Sequence, residues 1–382
     1  MAFLKKLKVM TVFGTRPEAI KMAPVILELK KQAKFFESIT VVTAQHREML
    51  DQVMTIFNIV PDYDLDIMKK NQTLGDITAS VLQLLDHVLD KEKPDIVLVH
   101  GDTSTTFAAA LATFYRQIPI GHVEAGLRTW NKYSPYPEEM NRQMTDVLSD
   151  LYFAPTNQSK KNLLAENHRD DQIFITGNTA IDALKETITD GYQHAVLDEI
   201  NEKNKIILLT MHRRENLGEP MKQVFTAVKQ VVEQNKNVEV VYPMHLNPKV
   251  REMAKQILGN IKRVHLIEPL NVVDFHNLCA RSYYIMTDSG GVQEEAPALK
   301  KPVLVLRDTT ERPEGVEAGT LKLVGTSQLE VEKQMNSLLD NEDVYQKMAN
   351  SKNPYGDGHA SERILEAILY YFGDNVKKPI DF

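Results

Sequence analysis

The stretch GHVEAGLRTWNKYSPYPEEMNRQ, Gly121 to Gln143, holds three carboxylates, two arginines, a histidine and the chain's only tryptophan, Trp130. It follows an apolar strand-like run and precedes a helix-like one. Glu124 and Glu138 bracket the loop, and Asp102 in HGDTST ends the preceding strand-like run. Three carboxylates gathered there could surround one substrate carbon and carry its proton. Pro137 is placed like the first residue of a helix, so Glu138 would sit at a helix start, where the ionised, basic form is favoured. The plainer reading is a surface ion pair between Glu138 and Arg142, worth ~0.3–0.5 kcal/mol. On that helix Met140, Met144, Val147 and Leu148 share one face and should pack. Trp130 has no account beyond packing of the loop.

DSGGVQEEAPAL offers a different chemistry. Asp288 and Ser289 end a strand, Gly290 and Gly291 allow close backbone approach, and a helix follows. Such a start binds phosphate, and Glu294 or Glu295 one turn on could bridge two vicinal ribose hydroxyls. The alternative is a helix cap whose acids suit the dipole. In GTRPEAIK, Arg16 and Lys21 could neutralise a diphosphate, and in MHRREN a histidine beside two arginines could clamp one. Both also read as solvated helix or loop ends. His122 and Glu124 form HxE, with no further ligand-spaced partner, so a metal site is not expected.

The elements that must position these residues alternate along the chain. KVMTVFG, ITVVTA, DIVLVHGD, IGHVEA, LYFAPT and QIFITGN read as strands. The segments from Arg16, His46, Leu74 and Ser104 read as helices. Many strands are apolar throughout, as when helices cover both sheet faces. After a polar helical stretch from Ile181 to Lys205 the pattern restarts, with KIILLTM, VEVVYPM, RVHLIEP, YYIMTDSGG and KPVLVLRD as strands. The fold class is therefore α/β: parallel sheets in two Rossmann-like domains, facing each other across a cleft. Most of the chemically capable residues follow directly after strands, where ligands bind such sheets.

Composition agrees with this and narrows the partners. At 382 residues the chain is too long for one small core. A net charge of −7 gives no overall attraction for nucleic acid or an anionic membrane, so a phosphate ligand needs a local basic pocket. Cys279 is the only cysteine, which excludes an intrachain disulfide and a cysteine-based zinc site. In FHNLCARSYY it reads as a buried core thiol. The start, MAFLKKLKVMTVFG, reads as a core strand rather than a signal peptide, and no stretch approaches a membrane span. A cytoplasmic protein is expected.

VFGTRPEAIKMAP, HGDTSTT, GHVEAGLRT, SPYPEEMNR, HRREN and TDSGGVQEEAP, in that order, resemble motifs of the non-hydrolysing bacterial UDP-N-acetylglucosamine 2-epimerases. The resemblance spans nearly the whole chain. It implies a GT-B-like fold with the active site in the interdomain cleft. An N-terminal domain, 1–178, would receive the terminal helical segment, 360–382, and 179–359 would bind UDP. It implies a homodimer with no metal and no nicotinamide cofactor. The reaction would invert C2 of the sugar by elimination and return of UDP, giving UDP-N-acetylmannosamine for cell-surface polysaccharide or teichoic acid.

Carried over motif by motif, the resemblance assigns Asp102, Glu124, Glu138 and His212 to proton transfer or its support. Arg16, Lys21, His212, Ser289, Gly290, Gly291 and Arg312 match UDP and diphosphate contacts, Glu295 the ribose ligand and Phe275 a residue beside the uracil. Leu270 stands where some relatives have glutamine, so only a backbone contact would survive there. Asp102 and Glu124 also touch substrate in this scheme. Gln45, His46, Arg213 and His245 match a second, activating substrate site. A GT-B glycosyltransferase would share the fold and nucleotide site, but one base would serve it. A non-catalytic nucleotide-sugar sensor would need no cluster of acids.

Overall fold

The computed structural model describes residues 6–45, 47–374 and 377–382. The chain divides into two compact units, Met1–Glu186 with Tyr355–Phe382, and Thr187–Pro354.

In the first unit the strands are β1 (Leu7–Phe13), β2 (Phe36–Val42), β3 (Tyr63–Asp64), β4 (Ile96–His100), β5 (Ile120–Val123), β6 (Leu151–Ala154) and β7 (Ile173–Ile175). They form one parallel sheet in the order β3-β2-β1-β4-β5-β6-β7. The helices between them are α1 (Arg16–Lys31), α2 (Arg47–Ile56), α3 (Leu74–Glu92), α4 (Ser104–Tyr115), α5 (Glu138–Leu148) and α6 (Asn157–Ala165), followed by α7 (Thr179–Thr187). One sheet face packs Val9, Phe13, Leu98 and Phe153 against α1; the other packs Met10, Val12, Val97 and Val99 against α3 and α4. Burial on both faces is why these strands read as unbroken apolar runs.

The second unit repeats the plan. After α8 (Ala195–Glu199) come β8 (Lys205–Thr210), α9 (Glu219–Gln234), β9 (Val238–Pro243), α10 (Pro248–Leu258), β10 (Val264–Ile267), α11 (Val272–Arg281) and β11 (Tyr284–Thr287). Then follow α12 (Gly290–Glu295), β12 (Val303–Val305), α13 (Pro313–Glu317), β13 (Leu321–Leu323), α14 (Gln328–Asp340) and α15 (Glu342–Ala349). Its parallel sheet runs β10-β9-β8-β11-β12-β13. In both sheets the first strand of the unit lies beside the fourth, and the order reverses there. Ligands bind beyond the carboxyl ends at such a switch point.

The last helix, α16 (Ala360–Tyr371), returns to the first unit, where Ile364, Leu365, Ala367 and Ile368 join the core around α1. The Asp182 carboxylate accepts from the amides of Ala360 (3.2 Å) and Ser361 (2.8 Å) and caps its start. Asp381 and Phe382 then hydrogen-bond the backbone of Ile175 on edge strand β7.

Several sequence expectations shift. The units divide after Glu186 rather than at 178, and the chain rejoins the first at Tyr355 rather than 360. The polar stretch from Ile181 to Lys205 is two short helices, broken around Asp190-Gly191, and its first part belongs to the first unit. The edge strands β3 and β13 were not expected. Cys279 is buried on α11. Among the described residues, no helix is long and apolar enough to cross a membrane.

Candidate active site

At the first switch point, the ends of β1, β4 and β5 open into a pocket of about 510 Å³, lined by Lys21, Gln45, His100, Asp102, Glu124, Glu138 and Asn141 among others. The β1–α1 turn comes very close to its neighbours. A Cβ at Gly14 would collide with the hydroxyls of Thr43 and Thr105, so only glycine fits. Glu18, fully buried, ties this turn to the next one. One of its oxygens accepts from the amides of Gly14 (3.1 Å) and Thr15 (2.8 Å), the other from the hydroxyls of Thr103 (2.8 Å) and Thr106 (3.0 Å). Burial pushes its carboxyl up, and these four donors pull the other way.

Glu124 follows β5 in the left-handed region, φ +68°. A non-glycine residue there carries strain of roughly 1–3 kcal/mol, and the surroundings hold it in place. Its carboxylate pairs with Lys21, accepts from Asn178 Nδ2 at 3.0 Å and lies 3.7 Å from His100 Nε2. Burial lowers His100 to about 3, so the ring is neutral. Asp102 receives Arg142 Nη2 at 2.8 Å, while Asn141 Nδ2 donates to its backbone oxygen at 2.9 Å. Burial raises the Asp102 carboxyl, Glu124 and Glu138 raise it further, and Arg142 and Lys21 oppose this.

The helix α5 overturns the surface reading. Arg142 is buried and pairs with Asp102, and its Nε meets only the backbone oxygen of Glu138 (3.4 Å). The buried side of α5 is polar: Glu139, Asn141, Arg142, Thr145 and Asp146. Val147, expected to pack, is 74% exposed. Pro137 precedes the helix as its cap rather than opening it. Glu139 accepts from the amides of Thr129 and Trp130, each at 3.0 Å, and so anchors the loop. Burial would raise Glu139, but these amides, Gln143 and Arg142 bring it below the usual range. The indole of Trp130 is 61% exposed, so its backbone holds the loop and its ring does not pack.

Beneath the carboxylates lies a buried ionic chain. His122 Nδ1 is 2.6 Å from Asp146 and Nε2 is 2.7 Å from the Gly101 carbonyl. Arg128 Nη2 lies 2.6 Å from both Asp146 and Glu166. Burial would raise Asp146, but His122 and Arg128 hold it below the usual range. His122 and Glu124, the HxE pair, thus face different partners.

The second switch point is cationic. Asp288, fully buried, accepts at Oδ2 from the amides of His212 (2.9 Å) and Arg213 (2.8 Å) and from Asn216 Nδ2 (3.0 Å). It thereby fixes the loop after β8 to the end of β11. His212 stacks on His245 at 5.6 Å; burial lowers its pKa, Asp288 opposes this, and His245 and Arg213 add to it. Ser289 precedes α12, and the guanidinium groups of Arg312 and Arg213 lie 3.7 and 3.9 Å from where a Cβ on Gly290 would sit. Two guanidinium groups beside the early amides of a helix suit a diphosphate. Glu294 is buried and pairs with Arg312, which leaves Glu295 for a ligand. Leu270 and Phe275 pack at the edge of the core around α11.

A family model described as UDP-N-acetylglucosamine 2-epimerase matches residues 28–369.

The chain belongs to the UDP-N-acetylglucosamine 2-epimerase family, a family of isomerases.

The family's enzyme from Bacillus subtilis (strain 168) is 62% identical over 379 residues, 99% of each chain. Among solved structures, S. aureus MnaA in a co-structure with UDP has 54% identity and a TM-score of 0.88, covering 98% of this chain and 100% of that one. The Neisseria meningitidis enzyme bound to UDP-GlcNAc has 52% identity and a TM-score of 0.84, covering 95% and 100%.

Of the residues expected to serve an epimerase, the first unit brings Lys21, Asp102, Glu124 and Glu138 into one pocket, with Gln45 beside them. Arg16 does not line it; the guanidinium is half-buried and makes no ion pair among the described residues. His46 lies outside the described residues. The second unit brings His212, Arg213 and His245 together, and Ser289, Gly290, Gly291 and Arg312. Sequence reasoning missed Glu18 and His100, which line the first unit's pocket, and Glu139, Arg142, Asp146 and Asn178, which brace the residues around it. The one available signal was a polar residue at a helical position that should have been apolar or solvated.

Proposed function

We propose that this protein interconverts UDP-N-acetylglucosamine and UDP-N-acetylmannosamine. The observation that carries this is the convergence of Asp102, Glu124 and Glu138, with Lys21, on one pocket of the first unit. No carbonyl stands beside C2, so its proton is not acidic in the ground state. As the C1–O bond to UDP breaks, oxocarbenium character at C1 acidifies C2–H. One base takes that proton, the C1–O electron pair leaves with UDP, and 2-acetamidoglucal remains. The axial C1–O and C2–H bonds of the α-gluco sugar make this an anti elimination. UDP oxygen then rebonds C1 while an acid delivers a proton to the opposite face of C2. Nothing is oxidised or reduced, so only proton carriers on two faces are required.

Burial raises the Asp102 carboxyl above the usual range, which suits a group that must both take and return a proton. Glu124, Glu138 and His212 complete the proton traffic in this reading. Arg312, with Ser289, Gly290 and Gly291, takes the diphosphate, and Arg16 adds a cation that makes no ion pair among the described residues. Glu295 takes the ribose, Phe275 flanks the uracil, and Leu270 contributes backbone. Incubation with UDP-N-acetylglucosamine in D2O, followed by NMR of the sugar, tests this. Epimer formation with deuterium at C2 and UDP retained supports it; an unchanged sugar with no exchange at C2 sinks it.

The same reading takes Gln45, Arg213 and His245 as contacts for a second, activating substrate molecule. Sigmoidal kinetics that become hyperbolic in Gln45→Ala would support it, and unchanged cooperativity would refute it. The product would feed cell-surface polysaccharide or teichoic acid synthesis. A homodimer is part of the proposal. Val147 on α5 and Phe114 and Tyr115 at the end of α4 are exposed and line one open pocket with Leu148, alongside Gln117, Ser149 and Asp150. A second copy covering this face would explain why Val147 is left exposed on α5. Light scattering should show a dimer that Val147→Glu dissociates; a monomeric wild type would refute it.

A further inference from the structure

Of the two acids that end α12, Glu294 is committed to Arg312. Glu295 faces α11, where its Oε2 lies 3.5 Å from His276 Nε2. His276 is buried, and its other ring nitrogen, Nδ1, is 2.7 Å from the Thr187 hydroxyl. Asn277, the next residue, donates to the Thr187 carbonyl at 2.8 Å and accepts from the Thr189 amide at 3.1 Å. The segment carrying Thr187 is thus fixed against α11. A Thr187 hydroxyl donating to Nδ1 leaves the hydrogen on Nε2, toward Glu295. At 3.5 Å this contact steers the carboxylate rather than binding it fully, and a small rotation of Glu295 closes it. Glu295 also lies near the buried Cys279, whose thiol is pushed up first by burial and then by this carboxylate.

We propose that His276 is a positioning residue for ribose recognition: its Nε2–H holds one oxygen of Glu295 so that the other faces the ribose hydroxyls. This rests on the reading of Glu295 as the ribose ligand. A carboxylate held in one rotamer loses less freedom on binding than a mobile one. His276 would therefore determine the preference for a ribonucleotide without touching it.

Calorimetric affinities for UDP and 2′-deoxy-UDP test this in the full-length protein. The wild type should prefer UDP by about tenfold, as for a hydrogen bond to a charged group. Glu295→Ala should abolish the preference; if it does not, the ribose reading of Glu295 fails. If Glu295→Ala abolishes it but His276→Phe keeps it in full, the role of His276 fails instead. His276→Phe is expected to bring the ratio to within about twofold of unity, and His276→Gln, whose amide nitrogen reaches the same place, to restore part of it. KM for the nucleotide sugar should rise more than kcat falls. Should His276→Phe not fold, Thr187→Val decides. It frees the ring to exchange tautomers, and an unchanged UDP preference there overturns the inference.

Discussion

In the first unit the turns at the switch point present acids: Asp102, Glu124 and Glu138 line one pocket, with Glu18 fastening the turns behind them. In the second, loops at the same topological position present His212, Arg213, Arg312 and early helix amides. Acids are present there too, but Asp288 and Glu294 face inward, one fastening backbone amides and the other an arginine. Strand order does not distinguish the units; what each loop turns toward the open end does. An acid turned outward is a reagent and needs buried countercharges behind it, as Asp102 has Arg142. An acid turned inward is a fastener for the cations beside it.

The comparison breaks most visibly at the reagents. Glu124→Gln, Asp102→Asn and Glu138→Gln should each lower turnover by about 10³-fold while UDP titrations stay near wild type. Near-normal turnover in all three would remove the distinction. Next in size is the ionic chain behind the acids. Asp146→Asn leaves Arg128 and His122 without their shared anion and should cost about 3 kcal/mol in denaturant unfolding. The inward acid of the second unit gives a smaller effect of another kind. Asp288→Asn replaces an acceptor of three N–H groups and should weaken UDP binding about tenfold by calorimetry.

The smallest effect concerns pH. Because the Asp102 carboxyl is raised, folding favours its protonated form. Below the unfolded carboxylate range both states carry the proton and the site costs nothing. As pH rises through the raised native value, stability is lost. Asp102→Asn should therefore gain melting temperature relative to wild type as pH rises above the unfolded carboxylate range, about 4, and a parallel pair of curves would contradict this. A reagent that costs stability is the expected trade at a catalytic position.

Strand alternation was legible because buried parallel strands read as apolar runs, as Ile96–Val99 of β4 does. The edge strands β3 and β13, two and three residues long, are too short to show a pattern. Residues after strands could be listed in advance, because ligand position in such sheets follows topology. Their partners could not. Asn178 is 54 residues from Glu124, and Arg142 is 40 from Asp102. Periodicity also misled at α5, since it assumes that the apolar side of a helix turns inward. There the buried side is chosen by charges it must neutralise, and Val147 is left outside.

The return of α16 to the first unit bears on the order in which the chain can fold as it leaves the ribosome. The second unit is continuous, Thr187–Pro354, and every strand it needs has been made once Pro354 emerges. The first unit, though begun earlier, lacks Ile364, Leu365, Ala367 and Ile368 until the whole second unit has been made. Its core around α1 stays uncovered during that interval, a period when chaperones can reach that apolar face. The acid-bearing unit is thus begun before the cation-bearing one and completed after it.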